Sequence, residues 1–137
     1  GVSGEEQTKV VYRLSDPAQY RNQHVLVVGG GDSALEAAVS IAEEGNTHVI
    51  LSYRSEAFSR AKPKNRKKVD KASMEYSLEV MLGSTIEKIE KHHDLIKNQS
   101  GVKRVKNDAV IICAGGILPT PFLQKIGINI ETKYGTE

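Results

Sequence analysis

The sequence predicts an α/β domain built on a doubly wound parallel sheet. Three observations support this fold class: wholly apolar runs at residues 25–28 and 109–114, a helical pattern directly after the first run, and a further strand pattern at 48–53. Apolar runs without alternation are typical of strands that are covered on both faces. Strands that alternate with helices predict parallel βαβ units.

The first helix is expected from Asp32 to Glu44. Its apolar residues recur at i, i+3, i+4 and i+7 and form one stripe: Leu35, Ala38, Val39 and Ala42. Gly45 and Asn46 follow, and residues of these types commonly stop a helix in the left-handed conformation. The pattern therefore predicts an amphipathic helix that packs on the sheet.

The second half of the chain is expected to hold a second helix and a small antiparallel unit. Pro63 opens the helix, which extends over roughly Lys64 to Met74. From Ser77 the sequence alternates between apolar and polar residues, as short antiparallel strands do, with breaks at Gly83, His92–Asp94 and Asn98–Gly101. The predicted order is strand, helix, strand, helix, strand, a β-meander crossover and a final strand.

Composition excludes several classes of function. The chain has 137 residues, a formal net charge of +2 and one cysteine, so an internal disulfide or a multi-thiolate metal site is excluded. No apolar run approaches the ~20 residues that cross a bilayer, and the first residues do not resemble a secretory signal. We expect a cytoplasmic protein that does not contact a membrane.

His92 and His93 would point to opposite faces of a strand, so we favour a turn there over a metal site.

The segment after the first strand fits the pattern G-x-G-x-x-A. Gly29 permits a tight turn, Gly31 lets a pyrophosphate approach the backbone, and Ala34 lets the helix pack closely on the sheet. The first turn of the helix offers N–H groups and a positive dipole end to an anion. The pattern predicts a Rossmann-like dinucleotide site whose candidate residues are Gly29, Gly30, Gly31, Asp32, Ser33 and Ala34.

Asp32 is unexpected beside a phosphate because like charges repel. We expect Asp32 or Ser33 to cap the helix, with a side-chain oxygen that accepts a backbone N–H. A catalytic role for Asp32 is the less favoured alternative.

The second strand ends in Arg54 where NAD-selective domains usually carry an acid. The missing carboxylate removes a repulsion against a 2′-phosphate, and a guanidinium can bind that group with charge-assisted hydrogen bonds. Arg60 and Lys62 are close enough in sequence to contribute. These residues predict NADPH over NADH, with acceptance of either cofactor as the alternative. Tyr53 is a candidate for stacking on the adenine.

The sequence resembles the NADPH-binding domain of thioredoxin-reductase-like flavoproteins, which belong to the pyridine nucleotide-disulfide oxidoreductase superfamily. Three features carry the resemblance: "VVGGGDSALEAA", the arginine after the second strand, and "NDAVIICAGGILPTPFL". The resemblance covers residues 23–128. It implies that the glycine-loop residues line the pyrophosphate and that Arg54 and Arg60 meet the 2′-phosphate. It also implies that the segment Ala114, Gly115 and Gly116 passes near the nicotinamide side or the domain junction.

The sequence departs from thioredoxin reductases in three ways. No C-x-x-C pair precedes the glycine loop, the usual "HRR" is replaced by Tyr53-Arg54-Ser55, and no second glycine loop or flavin motif is present. The "PTPFL" ending resembles a non-dithiol, bacillithiol-disulfide-reductase-type branch. We therefore expect a domain from a longer chain, with a lead-in or interdomain linker at 1–23, a nucleotide-binding domain at 24–128 and a tail at 129–137 that leads toward an FAD domain.

The resulting hypothesis is an NADPH-binding domain of an FAD-dependent oxidoreductase that passes hydride from NADPH to flavin, with no catalytic residue of its own and inactive when alone. The expected partners are the dinucleotide and the FAD domain, with a homodimer of the full-length enzyme as one possibility. The alternative is a non-enzymatic Rossmann module that senses or binds the dinucleotide.

The basic stretch 60–71 lacks aromatic residues, so we favour a solvated helix face over a nucleic-acid surface. Cys113 is expected to be an inert buried side chain.

Overall fold

The computed structural model describes residues 9–12, 14, 16–55 and 61–113. The elements in chain order are β1 (Val10–Val11), a 3-10 helix (Pro17–Tyr20), β2 (His24–Gly29), α1 (Asp32–Ala42), β3 (His48–Tyr53), α2 (Pro63–Glu75), β4 (Leu78–Leu82), β5 (Thr85–Ile89), β6 (His93–Asn98), β7 (Gly101–Lys106) and β8 (Ala109–Cys113).

The main sheet is parallel and has five strands in the order β1-β8-β2-β3-β4. The chain proceeds from β2 outward through β3 to β4, and then crosses back to place β8 on the other side of β2. The strand order thus reverses between β2 and β8. In open parallel sheets, ligands bind outside the carboxyl ends of the strands at such a reversal.

The two faces of the main sheet are covered differently. α1 and α2 cover one face, where Leu35, Ile41 and Val69 are fully buried in a cluster with side chains of β2, β3 and β8. The three-stranded antiparallel sheet β5-β6-β7 covers the other face, where Ile89 and Ile96 pack with side chains of the main sheet. The predicted α/β class with an antiparallel β-meander crossover is confirmed. In the described residues both helices share one face, and the small sheet serves as the second layer.

Most predicted elements lie where the sequence places them. The strand predicted at 48–53 is observed over the same residues, and α2 is one residue longer at each end than expected. α1 ends at Ala42, two residues before the predicted end. Gly45 has a φ of 82° and Asn46 a φ of 51°, so the left-handed stop is confirmed.

The strand predicted between the second helix and the meander is observed as β4, a parallel member of the main sheet. One detail of the predicted antiparallel unit is wrong. The predicted turn at His92–Asp94 is shifted, since His93 and Asp94 belong to β6. The Glu90 N–H donates to the His93 carbonyl over 2.8 Å and closes the hairpin earlier. Asp94 and Ile96 are both fully buried, so the side chain of Asp94 belongs to the inner face of β6.

Neither helix in the described part of the chain is long and apolar enough to cross a membrane.

Candidate functional site

The carboxyl ends of three strands meet where the glycine loop begins. Gly29 at the end of β2 is in register with Tyr53 at the end of β3 and with Cys113 at the end of β8. The Arg54 N–H donates to the Gly29 carbonyl over 3.3 Å, which extends the β2–β3 pairing by one hydrogen bond. The loop therefore leaves the sheet at the reversal of strand order.

Gly29 lies between β8 and α1 with no room for a side chain. A Cβ at this position would lie 2.6 Å from the Cys113 carbonyl oxygen and 2.7 Å from the Ala34 Cβ. Ala34 is itself fully buried in the core. The small residues at both positions let the start of α1 approach the sheet, which confirms the packing role predicted for Ala34.

Gly30 lies against the guanidinium of Arg54. A Cβ at Gly30 would be 3.3 Å from both Nε and Nη2 of Arg54. The arginine follows β3 directly, and its side chain is exposed with the guanidinium beside Gly30. The structure thus brings together the two features that the sequence analysis singled out, the glycine loop and the arginine after the second strand.

The beginning of α1 differs from the prediction. The N-cap residue is Gly31, which has an extended backbone and no side chain that could accept a hydrogen bond. The prediction that Asp32 or Ser33 caps this helix is wrong, because the helix begins at Asp32, one residue too early for either side chain to serve as the cap. The first N–H groups of α1 have no side-chain cap, the arrangement in which helix N-termini bind anions.

Asp32 instead binds the start of α2. Its Oδ1 accepts the backbone N–H of Lys62 over 2.8 Å and the side-chain Nδ2 of Asn65 over 2.7 Å. The hydrogen bond from Asn65, followed by that from Lys62, holds the pKa of Asp32 below its usual value, and the charges of Lys62 and Lys64 act in the same direction. The carboxylate is therefore ionised and engaged with α2.

Tyr53 does not fit its predicted role. The ring is fully buried in the core cluster between the main sheet and the helices. A buried ring has no face open to an adenine, so stacking is not supported by this structure. Tyr53 is in register with Gly29, so it belongs to the part of the sheet from which the glycine loop begins.

Several other predicted site residues can be placed only in part. Lys62 is exposed and forms the N-cap of α2. Arg60, Ala114, Gly115 and Gly116 lie outside the described residues, and so do the predicted tail at 129–137 and the first part of the predicted linker.

Cys113 is buried at the end of β8, and burial raises the pKa of its thiol to about 11. A protonated, enclosed thiol is a poor nucleophile, as the inert interpretation expects. Among the residues that the structure describes, no cluster of three or more histidine, cysteine or acidic side chains could hold a metal ion.

Sequence reasoning missed Asn65. This residue is 2% exposed and lies on the stripe of α2 that also buries Val69 and Ala72. The sequence does contain a signal for this residue: Asn65 precedes the apolar Val69 and Ala72 by four and seven residues, so it lies on the same buried side of the helix. A buried amide needs hydrogen-bond partners, which indicates a structural contact there. The second partner of its Nδ2 is Glu36 Oε1, at 3.4 Å.

Known proteins are similar to this chain in sequence and in fold. A family described as pyridine nucleotide-disulphide oxidoreductase matches residues 1–136. A ferredoxin–NADP reductase of Lactobacillus acidophilus is 33% identical over 133 residues, which cover 95% of this chain and 42% of that protein.

Two solved structures extend the comparison. The bacillithiol disulfide reductase Bdr of Bacillus cereus superposes with a TM-score of 0.79 at 26% identity, over 90% of this chain and 38% of that one. A thioredoxin reductase of Lactococcus lactis superposes with a TM-score of 0.72 at 27% identity, over 93% of this chain and 44% of that one. The chain thus spans about two fifths of the length of these proteins.

Proposed function

Because this chain belongs to the pyridine nucleotide-disulphide oxidoreductase family, we propose that it is the NADPH-binding domain of an FAD-dependent oxidoreductase. The nucleotide-binding domain is assigned to residues 24–128, with 1–23 as a linker and 129–137 leading toward the FAD domain. The expected location is the cytoplasm. The observation that carries the proposal is the contact between Gly30 and the Arg54 guanidinium, which joins a diphosphate-binding loop to a cation suited to a 2′-phosphate.

The loop fits a dinucleotide in three respects. Gly29 lets α1 begin directly beside the carboxyl ends of β2 and β8, because a Cβ there would meet the Cys113 carbonyl oxygen and the Ala34 Cβ. The N-cap Gly31 leaves the first helical N–H groups without a side-chain acceptor. The dipole of α1 adds positive potential at the same end. These features bind and orient an anion, and none of them requires a catalytic side chain.

When bound, NADPH supplies the hydride and FAD accepts it. The protein contributes position and charge. The loop and the first turn of α1 hold the pyrophosphate, while Arg54 selects the phosphorylated ribose with Arg60 and Lys62 as further cations. Ala114, Gly115 and Gly116 are proposed to line the path toward the nicotinamide.

The alternative of a non-enzymatic dinucleotide sensor has no specific observation in its favour, since the similar proteins are named as reductases. α2 is a regular helix with Asn65, Val69 and Ala72 buried and its basic residues exposed. This arrangement agrees with a solvated helix face.

Titration of the chain with NADPH and NADH tests the proposal. We expect Arg54→Ala to weaken NADPH by about 10- to 100-fold, because hydrogen bonds to a charged group contribute about 1.5–3 kcal/mol. The affinity for NADH should change less than about threefold. Calorimetry or the fluorescence of the bound nicotinamide gives both dissociation constants.

Arg104→Ala is the matched control. It removes the same charge from β7 on the small sheet, where Arg104 forms an exposed ion pair with Glu90 at 3.1 Å. This variant should bind both dinucleotides as the unaltered chain does. If Arg54→Ala weakens NADPH and NADH equally, the assignment of Arg54 to the 2′-phosphate is wrong. If the unaltered chain binds neither dinucleotide, the proposed function is wrong.

A further inference from the structure

Asp32 connects two segments that are thirty residues apart in sequence. One oxygen, Oδ1, receives both the Lys62 backbone N–H at 2.8 Å and the Asn65 amide at 2.7 Å. Lys62 is the N-cap of α2, and no side chain of α2 caps that helix itself. The carboxylate of α1 therefore caps α2 from outside, and a carboxylate at a helix N-terminus is also favoured by the helix dipole.

This contact fixes where the basic start of α2 lies. Lys62 and Lys64 flank Pro63 in the first turn of α2, and both are exposed. Their charges are close enough to Asp32 to lower its pKa. Asp32 in turn follows Gly30 by two residues, and Gly30 is covered by the Arg54 guanidinium. Lys62 and Lys64 from the start of α2 and Arg54 from the end of β3 thus lie near the glycine loop.

We propose that Asp32 is a positioning residue that sets the preference for a phosphorylated ribose by docking the first turn of α2 beside the glycine loop. The inference rests on the proposed function and deepens it. An acid in a phosphate-binding loop repels its ligand, so its presence needs a compensating role. Here the carboxylate organises Lys62 and Lys64, whose positive charges act on the same ligand.

Two substitutions separate the hydrogen bonds of Asp32 from its charge. Asp32→Asn keeps an oxygen at Oδ1 that accepts both hydrogen bonds, whereas Asp32→Ala removes them. The probes are 2′,5′-ADP and 5′-AMP, which differ by the 2′-phosphate alone. The measured quantity is the dissociation constant of 5′-AMP divided by that of 2′,5′-ADP, obtained by calorimetry at fixed salt.

The expected result for Asp32→Ala is a fall of about tenfold in this ratio, comparable to losing a charge-assisted contact. Asn65→Ala should lower the ratio in the same direction, because it removes the second partner of Asp32 Oδ1. Asp32→Asn should retain the ratio while both probes bind about twofold tighter, since the repulsion is gone. Glu43→Gln, a charge change at the C-cap of α1, is the matched control and should leave both affinities unchanged.

A ratio that stays unaltered in a folded Asp32→Ala variant would overturn the inference while leaving the proposed function in place. Failure of the unaltered chain to bind either probe would instead contradict the proposed function. A second readout is independent of nucleotide: in the ¹H–¹⁵N spectrum, the Lys62 amide and the Asn65 side-chain amide should shift as Asp32 is titrated. If neither signal responds, the docking contact itself is absent.

Discussion

At the scale of single residues, the site depends on three small residues, Gly29, Gly30 and Ala34, which serve two functions. Gly29 and Ala34 bring α1 against the sheet, whereas Gly30 makes room for Arg54. The G-x-G-x-x-A pattern predicted the small residues, because such a turn needs close approach of helix and strand. It could not predict the Gly30–Arg54 contact, since the conformation of a long side chain depends on the folded surroundings.

Gly29→Ala is expected to destabilise the protein by about 1–3 kcal/mol, as overpacking of a core does. The added Cβ would meet the Cys113 carbonyl oxygen and the Ala34 Cβ, and neither atom belongs to a flexible side chain. Urea unfolding followed by circular dichroism measures the free energy of unfolding. Gly30→Ala is the control: its nearest atoms belong to the mobile end of Arg54, so stability should change by less than about 0.5 kcal/mol. Equal losses in the two variants would contradict the packing role of Gly29.

At the scale of helices and strands, local patterns predicted the elements but missed their long-range contacts. The buried strands β2, β3 and β8 were predicted within one residue at each end, because parallel strands covered on both faces are continuously apolar. The cap predicted for α1 was wrong because the preferred partners of Asp32 come from α2. The hairpin between β5 and β6 was shifted because a polar residue, Asp94, occupies a buried strand position. Neither choice is encoded in the neighbouring sequence.

Asp94 joins the small sheet to the residue that precedes β1. Its Oδ1 lies 3.4 Å from Lys9 Nζ, and the side chain is fully buried. Within the described residues, Oδ2 has no hydrogen-bond partner. Burial raises the pKa of Asp94 to about 6, against the opposing effect of Lys9. The ionised form is therefore disfavoured in the folded protein relative to the unfolded chain.

This pKa predicts an unusual pH dependence of stability. Between about pH 4 and 6 the folded protein keeps a proton on Asp94 that the unfolded chain has lost, so the free energy of unfolding falls as pH rises through this window. The pKa values of Asp32 and Glu90 are lowered, and the stability they contribute is lost only at more acidic pH. The contribution of Asp94 should therefore decrease by about 1 kcal/mol from pH 5 to pH 7, after allowance for screening by solvent.

Urea unfolding at pH 5 and pH 7 measures this contribution. The difference between the two free energies should shrink in Asp94→Asn, which cannot ionise. Asp70→Asn, on the exposed face of α2, should retain the difference seen in the unaltered chain. Lys9→Met should move the window to higher pH, because it removes the neighbouring positive charge. An unaltered pH dependence in Asp94→Asn would show that this carboxyl group does not titrate abnormally.

At the scale of the whole molecule, the topology determines where chemistry is placed. The reversal of strand order between β2 and β8 opens the carboxyl edge of the sheet, and the helices and the small sheet close its two faces. The sequence predicted this reversal only through the order of its elements. The α/β class was predictable because its signals are local, whereas the side on which β8 returns depends on packing of the complete sheet.

Cys113 provides a probe of the whole core, because it is the single cysteine and lies buried at the end of β8 beside Gly29. Burial raises the pKa of its thiol to about 11, so a disulfide reagent at pH 8 should react only with opened molecules. The labelling rate should rise with urea in parallel with global unfolding.

Saturating NADPH should slow labelling, by about 100-fold at a concentration 100 times the dissociation constant, because a ligand of the folded state stabilises it by RT ln(1 + [L]/Kd). Arg54→Ala should label at the unaltered rate without ligand but need more NADPH for the same protection. Rapid labelling of the native protein, at the rate of an exposed thiol, would show that the carboxyl edge opens independently of the core.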